Sequence, residues 1–201
     1  MVPGAGGHLE NGQERLVKTP WFDYEVPFTK AAEYGTRKVI RDHSTIGILV
    51  TTDGSFGEIP RDSYVEAEKR TVEELTAIGK PFLVLLNSDR PYSKATQNLA
   101  QNLTKEYHTT VMPVNCDQLR QEDILDIMKN VLLEFPLSSV GFFLPKWVET
   151  LRDDHWMKKS ILDLMKEYLA QKEKMKDIYQ KDIPQNEYME SGKVEKIHMD
   201  T

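Results

Sequence analysis

The chain has 201 residues, 39% of them hydrophobic and 29% charged, which suits one ordinary domain with a helical extension. Its net charge of −6 and pI near 5.5 argue against a nucleic-acid partner held by broad electrostatics. No window approaches the roughly 18 apolar residues of a membrane span, no signal peptide opens the chain, and the single Cys116 excludes an intrachain disulfide framework or paired-thiol metal cluster, so the expectation is a cytosolic protein.

Residues 1–27 carry Gly4, Gly6, Gly7 and Gly12 with little periodicity and read as a mobile loop. Phe28, Ala32, Gly35 and Val39 fall at helical spacing, and 45–51 reads as a strand. Pro60 and Asp62 introduce a helix over 63–79, with Val65, Val72, Leu75 and Ile78 on one face and Gly79 as its C-cap. The run 82–87 is apolar up to its last residue, the pattern of a buried parallel strand. Ser93 caps a helix carrying Ala95, Leu99 and Leu103, and 110–115 is a shorter strand. Ile124, Ile127, Met128, Val131, Leu132 and Phe135 mark the clearest amphipathic helix. Strands separated by helices predict an α/β fold with a parallel sheet and right-handed crossovers. Further on, 156–181 reads as a long charged helix with Ile161, Leu162, Met165, Tyr168 and Leu169 on one face. The polar stretch 182–191 reads as a linker, and 194–199 as the start of a strand.

The strand 82–87 ends abruptly in Asn87-Ser88-Asp89-Arg90, and ligands of open α/β sheets bind at this carboxyl end. In nucleotide-binding switch domains an Asn there holds the base, and an Asp three residues later reads guanine; here Arg90 stands in that place. A plain strand-to-helix turn accounts for the same short signal. Thr51-Thr52-Asp53-Gly54 also follows a strand and reads equally as a loop approaching a nucleotide or as a simple turn. No Gly-x-x-x-x-Gly-Lys-Ser/Thr match occurs, and Pro3-Gly4-Ala5-Gly6-Gly7 lacks the Lys and follows no strand. A switch-type loop is the better reading of that segment. Within it a solvated loop outweighs a water-orienting role for His8 and Glu14. Trp147 and Trp156 read as core anchors, and Cys116 as a buried small residue, since no His stands beside it in sequence.

Several long segments resemble one family. Residues 1–14, 21–27, 43–60 (with Thr51-Thr52-Asp53-Gly54-Ser55-Phe56-Gly57) and 80–87 are similar to stage IV sporulation protein A. So are Pro113-Val114-Asn115-Cys116 and the Phe-Phe-Leu-Pro-Lys-Trp-Val-Glu run of 142–149. The likeness spans roughly 1–170 and its motifs are long and unusual. It implies part of a P-loop NTPase-like domain of the GTPase type, a three-layer parallel sheet followed by a helical extension. The corresponding division is a switch-like loop at 1–27, the carboxyl part of the ATPase domain at 28–150, the extension at 151–181, and a linker entering a middle domain at 182–201.

The resemblance further implies ATP with Mg²⁺ as cofactors. It implies self-assembly into the basement layer of the spore coat, with a small membrane-anchored sporulation peptide and other coat proteins as partners and no nucleic acid. The location implied is the mother-cell cytoplasm at the outer surface of the forespore. The family's phosphate loop, switch threonine and Mg²⁺-associated Asp would all lie before Met1, so an amino-terminally truncated chain, inactive alone, is expected. The adenine side would then fall to Asn87, Ser88, Asn115 and Cys116, with no catalytic or metal residue in this chain, and Arg90 agrees with adenine use. A noncatalytic interaction module of α/β fold is the alternative.

Overall fold

A short antiparallel pair, β1 (Leu9–Glu10) with β2 (Gln13–Glu14), opens the computed structural model, which describes residues 7, 9, 10, 12–179, 183 and 187. Two units are present, Met1–Val131 and Leu132–Thr201. In the first unit β3 (Leu16–Thr19) and β4 (Phe22–Pro27) form a second antiparallel pair, so 16–27 is a hairpin where the sequence reads as a loop. Most of its side chains are solvated, which hides the alternation; its support is tertiary. Val26 is buried, and the Phe22 and Trp21 rings lie 5.2 and 5.6 Å from that of Tyr34.

Tyr34 belongs to α1 (Phe28–Asp42), whose buried positions are Ala31 and Gly35. Gly35 is required by close approach, because a Cβ there would stand 2.8 Å from the Trp21 ring. At the carboxyl end of α1, the Lys80 ammonium donates to the carbonyls of Ile40 (2.7 Å), Arg41 (2.7 Å) and Ser44 (2.5 Å). A cation on the last carbonyls of a helix satisfies orphan acceptors and opposes the negative end of the dipole.

The unit's centre alternates strand and helix: β5 (Gly47–Thr52), α2 (Asp62–Ile78), β6 (Phe82–Asn87), α3 (Lys94–Tyr107) and β7 (Val111–Val114). The three strands form a parallel sheet in the order β5-β6-β7, as the alternation predicts. Gly79 ends α2 in the left-handed region at φ 74°, and the Ser93 hydroxyl accepts the Thr96 N–H at 3.2 Å to start α3. Phe82, Val84 and Leu86 project from β6 onto Val72 and Leu75 of α2 and Ala100 and Leu103 of α3. On the opposite face Leu83 and Leu85 are buried, whereas Ile48 and Val50 of β5 are 44% and 57% exposed.

A buried polar group sits inside this apolar layer. Glu68 of α2 is 4% exposed and accepts from the Arg61 guanidinium, with Nη2 to Oε1 at 2.8 Å and Nη1 on Oε2. The Tyr107 hydroxyl donates to it at 2.6 Å, and the Thr51 hydroxyl donates to it while accepting from Arg61 at 3.0 Å. Burial alone would raise the Glu68 carboxyl, but these hydrogen bonds outweigh it and hold the group below the usual carboxylate range. Burial, followed by the Glu68 contact, pushes the Tyr107 phenol upward.

After α4 (Gln121–Leu133), the second unit holds α5 (Lys146–Glu149) and α6 (Trp156–Leu169). The expected long helix over 156–181 stops at Leu169, and the chain turns into a 3₁₀ segment, Met175–Asp177. The fully buried Glu134 accepts from Lys174 (2.7 Å) and Lys176 (2.6 Å), and Pro136 bridges to Lys174, which holds that turn in place. Trp147 and Trp156, read from sequence as core anchors, are both exposed. The single turn of α5 buries Val148, its neighbour on another side, and α6 buries Ile161 and Met165, a face from which Trp156 is rotated away. The linker at 182–191 and the strand at 194–199 lie outside the described residues, apart from Ile183 and Glu187.

Candidate functional site

The carboxyl ends of β6 and β7 lie side by side, with Asn87 paired to Val114. Each strand then runs into a loop, and the two loops form the walls of a cleft of about 600 Å³. One wall is Asp89 to Ser93, between β6 and α3; the other is Asn115, Gln118 and Arg120, between β7 and α4, with Asp123 of the first turn of α4. Across the mouth, Arg120 Nη2 reaches the Tyr92 hydroxyl at 3.4 Å. That size falls in the range of about 300–1,000 Å³ usual for small-molecule sites. The chemistry offered is mixed: two guanidinium groups (Arg90, Arg120), each beside a carboxylate (Asp89 at 3.7 Å, Asp123 at 3.3 Å), two carboxamides (Asn115, Gln118) and one exposed aromatic ring (Tyr92).

Asn87 joins the two walls. Its side-chain oxygen accepts the Cys116 N–H at 2.9 Å, and the Ser88 N–H donates to the Val114 carbonyl at 2.9 Å. Asn115 turns its side-chain oxygen onto the Asp117 N–H (3.1 Å) and so starts the 3₁₀ turn Cys116–Gln118. Ser88 is fully buried; its hydroxyl accepts the Arg90 N–H at 3.1 Å and lies 3.3 Å from the Thr96 hydroxyl. Of the four residues singled out for a base, Asn115 lines the cleft, Asn87 and Cys116 tie its walls together, and Ser88 shapes one wall from behind. Cys116 is half-buried; burial and then the Asp117 charge push its thiol upward, which disfavours thiolate chemistry.

The loop after β5 supports the cleft without lining it. Thr52 accepts the Gly54 N–H at 3.0 Å, and Asp53 accepts from the Ser55 N–H (3.0 Å), the Ser55 hydroxyl (2.5 Å) and the Thr96 hydroxyl (3.2 Å). The Ser55 hydroxyl in turn accepts the Asp89 N–H at 2.9 Å. Burial works to raise the Asp53 carboxyl, but hydrogen bonds from Ser55, Ser88 and Thr96 hold it below its ordinary value. Gly54 stands at φ 90°, and a Cβ there would lie 3.0 Å from the Arg61 backbone nitrogen. Sequence reasoning did not find Tyr92, Gln118, Arg120, Ser55 or Thr96. Thr96 had a signal, standing three residues after the capping Ser93, and Ser55 stood within the Thr51–Gly57 motif; the others sit in aperiodic turns and had none.

Glu14 accepts from the Thr29 hydroxyl at 3.2 Å, at the base of α1, and His8 lies outside the described residues. Among the described residues no group of three or more His, Cys, Asp or Glu side chains forms a candidate metal site, and no helix is long and apolar enough to cross a membrane.

Comparison with known proteins gives the frame for this site. The family profile described as stage IV sporulation protein A, ATPase domain, matches residues 1–136, and that of the middle domain of the same protein matches 137–201. The chain is 41% identical over 177 residues to stage IV sporulation protein A of Bacillus subtilis (strain 168), covering 88% of this chain and 36% of that protein. Its counterpart in Bacillus anthracis is 42% identical over the same shares, and that in Clostridioides difficile (strain 630) is 48% identical over 89% of this chain and 36% of that protein. The chain thus spans about a third of the length of these relatives. No solved structure matches. Both profiles meet end to end along the chain, so the cleft at β6 and β7 lies within the matched ATPase domain, and the chain belongs to the stage IV sporulation protein A family.

Proposed function

We propose that this chain carries the base side of the nucleotide pocket of a P-loop NTPase-like ATPase of the GTPase type. The observation that carries the reading is the cleft at the carboxyl edge of two parallel strands, with Asn87 fastening the two loops that wall it. That is where α/β sheets bind nucleotides. The cleft is wide enough for an adenine ring, and Asn115, Gln118 and Arg90 offer groups to its polar edge. Asn87, Cys116 and Ser88 hold the walls that would receive it. ATP supplies the anhydride whose hydrolysis would do work in the whole protein. Mg²⁺ would be bound with the phosphates, and this sequence contains no Gly-rich phosphate motif to hold either.

In the whole protein, ATP hydrolysis would drive polymerisation of identical subunits into the basement layer of the spore coat. That layer would form at the outer surface of the forespore, in the mother-cell cytoplasm, with a small membrane-anchored sporulation peptide and other coat proteins as partners. Support comes from the sporulation family match and from the order of sheet and cleft. Two measurements test the reading. The purified 201-residue chain is expected to release no phosphate from ATP with Mg²⁺, because backbone donors and a Lys of a phosphate loop supply the charge stabilisation that phosphoryl transfer needs. Metal-dependent release well above a blank would overturn this. In a full-length protein of this family with the same residues at 87–90, ATP is expected to outcompete GTP, since Arg90 offers guanine's N–H groups no carboxylate. Tighter GTP binding would sink the assignment at 87–90.

A further inference from the structure

We propose that Asp53 and Ser55 are positioning residues that set the β6–α3 wall of the cleft in its ligand-binding shape, an inference that rests on the nucleotide reading above. Neither residue lines the cleft, yet both reach the wall from behind. Ser55 accepts the Asp89 N–H, fixing the first residue of the wall. Asp53 accepts the Thr96 hydroxyl, which lies 2.9 Å from the Ser93 hydroxyl at the last residue of the wall. The Asp53 N–H also donates to the Asn87 carbonyl at 3.2 Å, at the point where the wall leaves β6. Two anchor points along 87–96 therefore trace back to one carboxylate and the hydroxyl it orients, and the third to the backbone of the same residue.

The physical case is one of preorganisation. Residues 88–93 have no helix or strand of their own, and Arg90 and Tyr92 are exposed side chains on that loop. The loop has bonds of its own, from the Ser93 N–H to the Arg90 carbonyl (2.9 Å) and from Gln97 Nε2 to the Pro91 carbonyl (2.8 Å). Without the anchors behind it, however, the loop as a whole samples more positions, and a ligand that binds one of them loses affinity in proportion to its population. Asp53 is an ionised acceptor facing three donors at once, so each hydrogen bond it receives is charge-assisted and stronger than a neutral one. Gly54 makes the geometry possible, since at φ 90° against the Arg61 backbone it turns Ser55 toward Asp89.

The test uses amide NMR of the 201-residue chain titrated with adenosine, which needs no phosphate cradle, with guanosine as the comparison. In the wild-type chain the Asp89, Arg90 and Tyr92 amides are expected to shift and saturate with adenosine. In Asp53→Asn and in Ser55→Ala the half-saturating concentration is expected to rise about tenfold, as a fall in the competent fraction to roughly a tenth requires. The Val84 and Leu86 amides should stay in place, and exchange at the Asp89 amide should quicken in Ser55→Ala. Ser55 is exposed, so that variant keeps the fold even where Asp53→Asn does not. Unchanged half-saturation in Ser55→Ala overturns the positioning role while leaving the nucleotide reading intact. No adenosine-induced shift in the wild-type chain overturns the nucleotide reading and the positioning role with it.

Discussion

Replacing Arg61 by Met should destabilise the first unit strongly and reverse its dependence on acid. The guanidinium gives the Glu68 carboxylate two charge-assisted hydrogen bonds, and removing it leaves a buried anion with only the Thr51 and Tyr107 hydroxyls. At roughly 1.5–3 kcal/mol for each hydrogen bond to a charged group, the loss comes to about 3–5 kcal/mol at neutral pH, the range found when a buried pair loses one partner. For a chain of this size that is a fall in Tm of roughly 6–20 °C. In the wild-type chain the folded pKa of Glu68 lies below its unfolded value near 4.5, so its contribution is present above that pH and is lost as pH falls through the folded value. In Arg61→Met burial prevails and the folded pKa rises above the unfolded one. The variant's deficit should then be largest at pH 7 and shrink toward about pH 5, where the carboxyl takes up a proton. Arg61→Met with Glu68→Gln should recover most of the loss, because no charge is left buried. Urea unfolding followed by circular dichroism at both pH values measures this. A deficit below about 1 kcal/mol, or one that is the same at both pH values, would refute the reasoning.

Two further outcomes follow from single positions. Gly54→Ala should cost about 1–3 kcal/mol in the same unfolding assay, from a left-handed backbone and a Cβ only 3.0 Å from the Arg61 nitrogen, and a neutral result would mean the loop relaxes freely. Cys116 should react with iodoacetamide more slowly in the folded chain than in urea at about pH 8, since a raised pKa leaves less thiolate; equal rates would show the thiol to be unperturbed.

The sheet was legible because its signals are local and repeated. The run 82–87 is apolar for five consecutive residues, and the sequence and the structure agree on its bounds. Gly79 and Ser93 bracket that run with a helix stop and a helix start, and both act as those residue types predict. The hairpin at 16–27 was not legible, because only Val26 is fully buried and the rest of its support comes from rings on α1. Glu68 was legible in principle: Val65, Glu68, Val72 and Leu75 recur at helical spacing, so a carboxylate stands where an apolar residue is expected. Its partners Arg61 and Tyr107 carry no such mark. At the cleft, Asn87 and Asn115 could be named because they close strands, whereas Tyr92 and Arg120 meet only through the fold.

The ammonium that closes α1 also dictates an order of events. α1 has 15 residues and begins at Pro27 without a side-chain cap, a length at which an isolated helix is marginal in water. The cation that completes its other end lies 40 residues beyond Ile40, at the threshold of β6. On a ribosome, α1 would emerge with its last carbonyls open and remain frayed while β5 and α2 were still being made. Its final turn can set only when Lys80 arrives beside it, so α1 is completed only after α2, which precedes Lys80 in the chain, has been made.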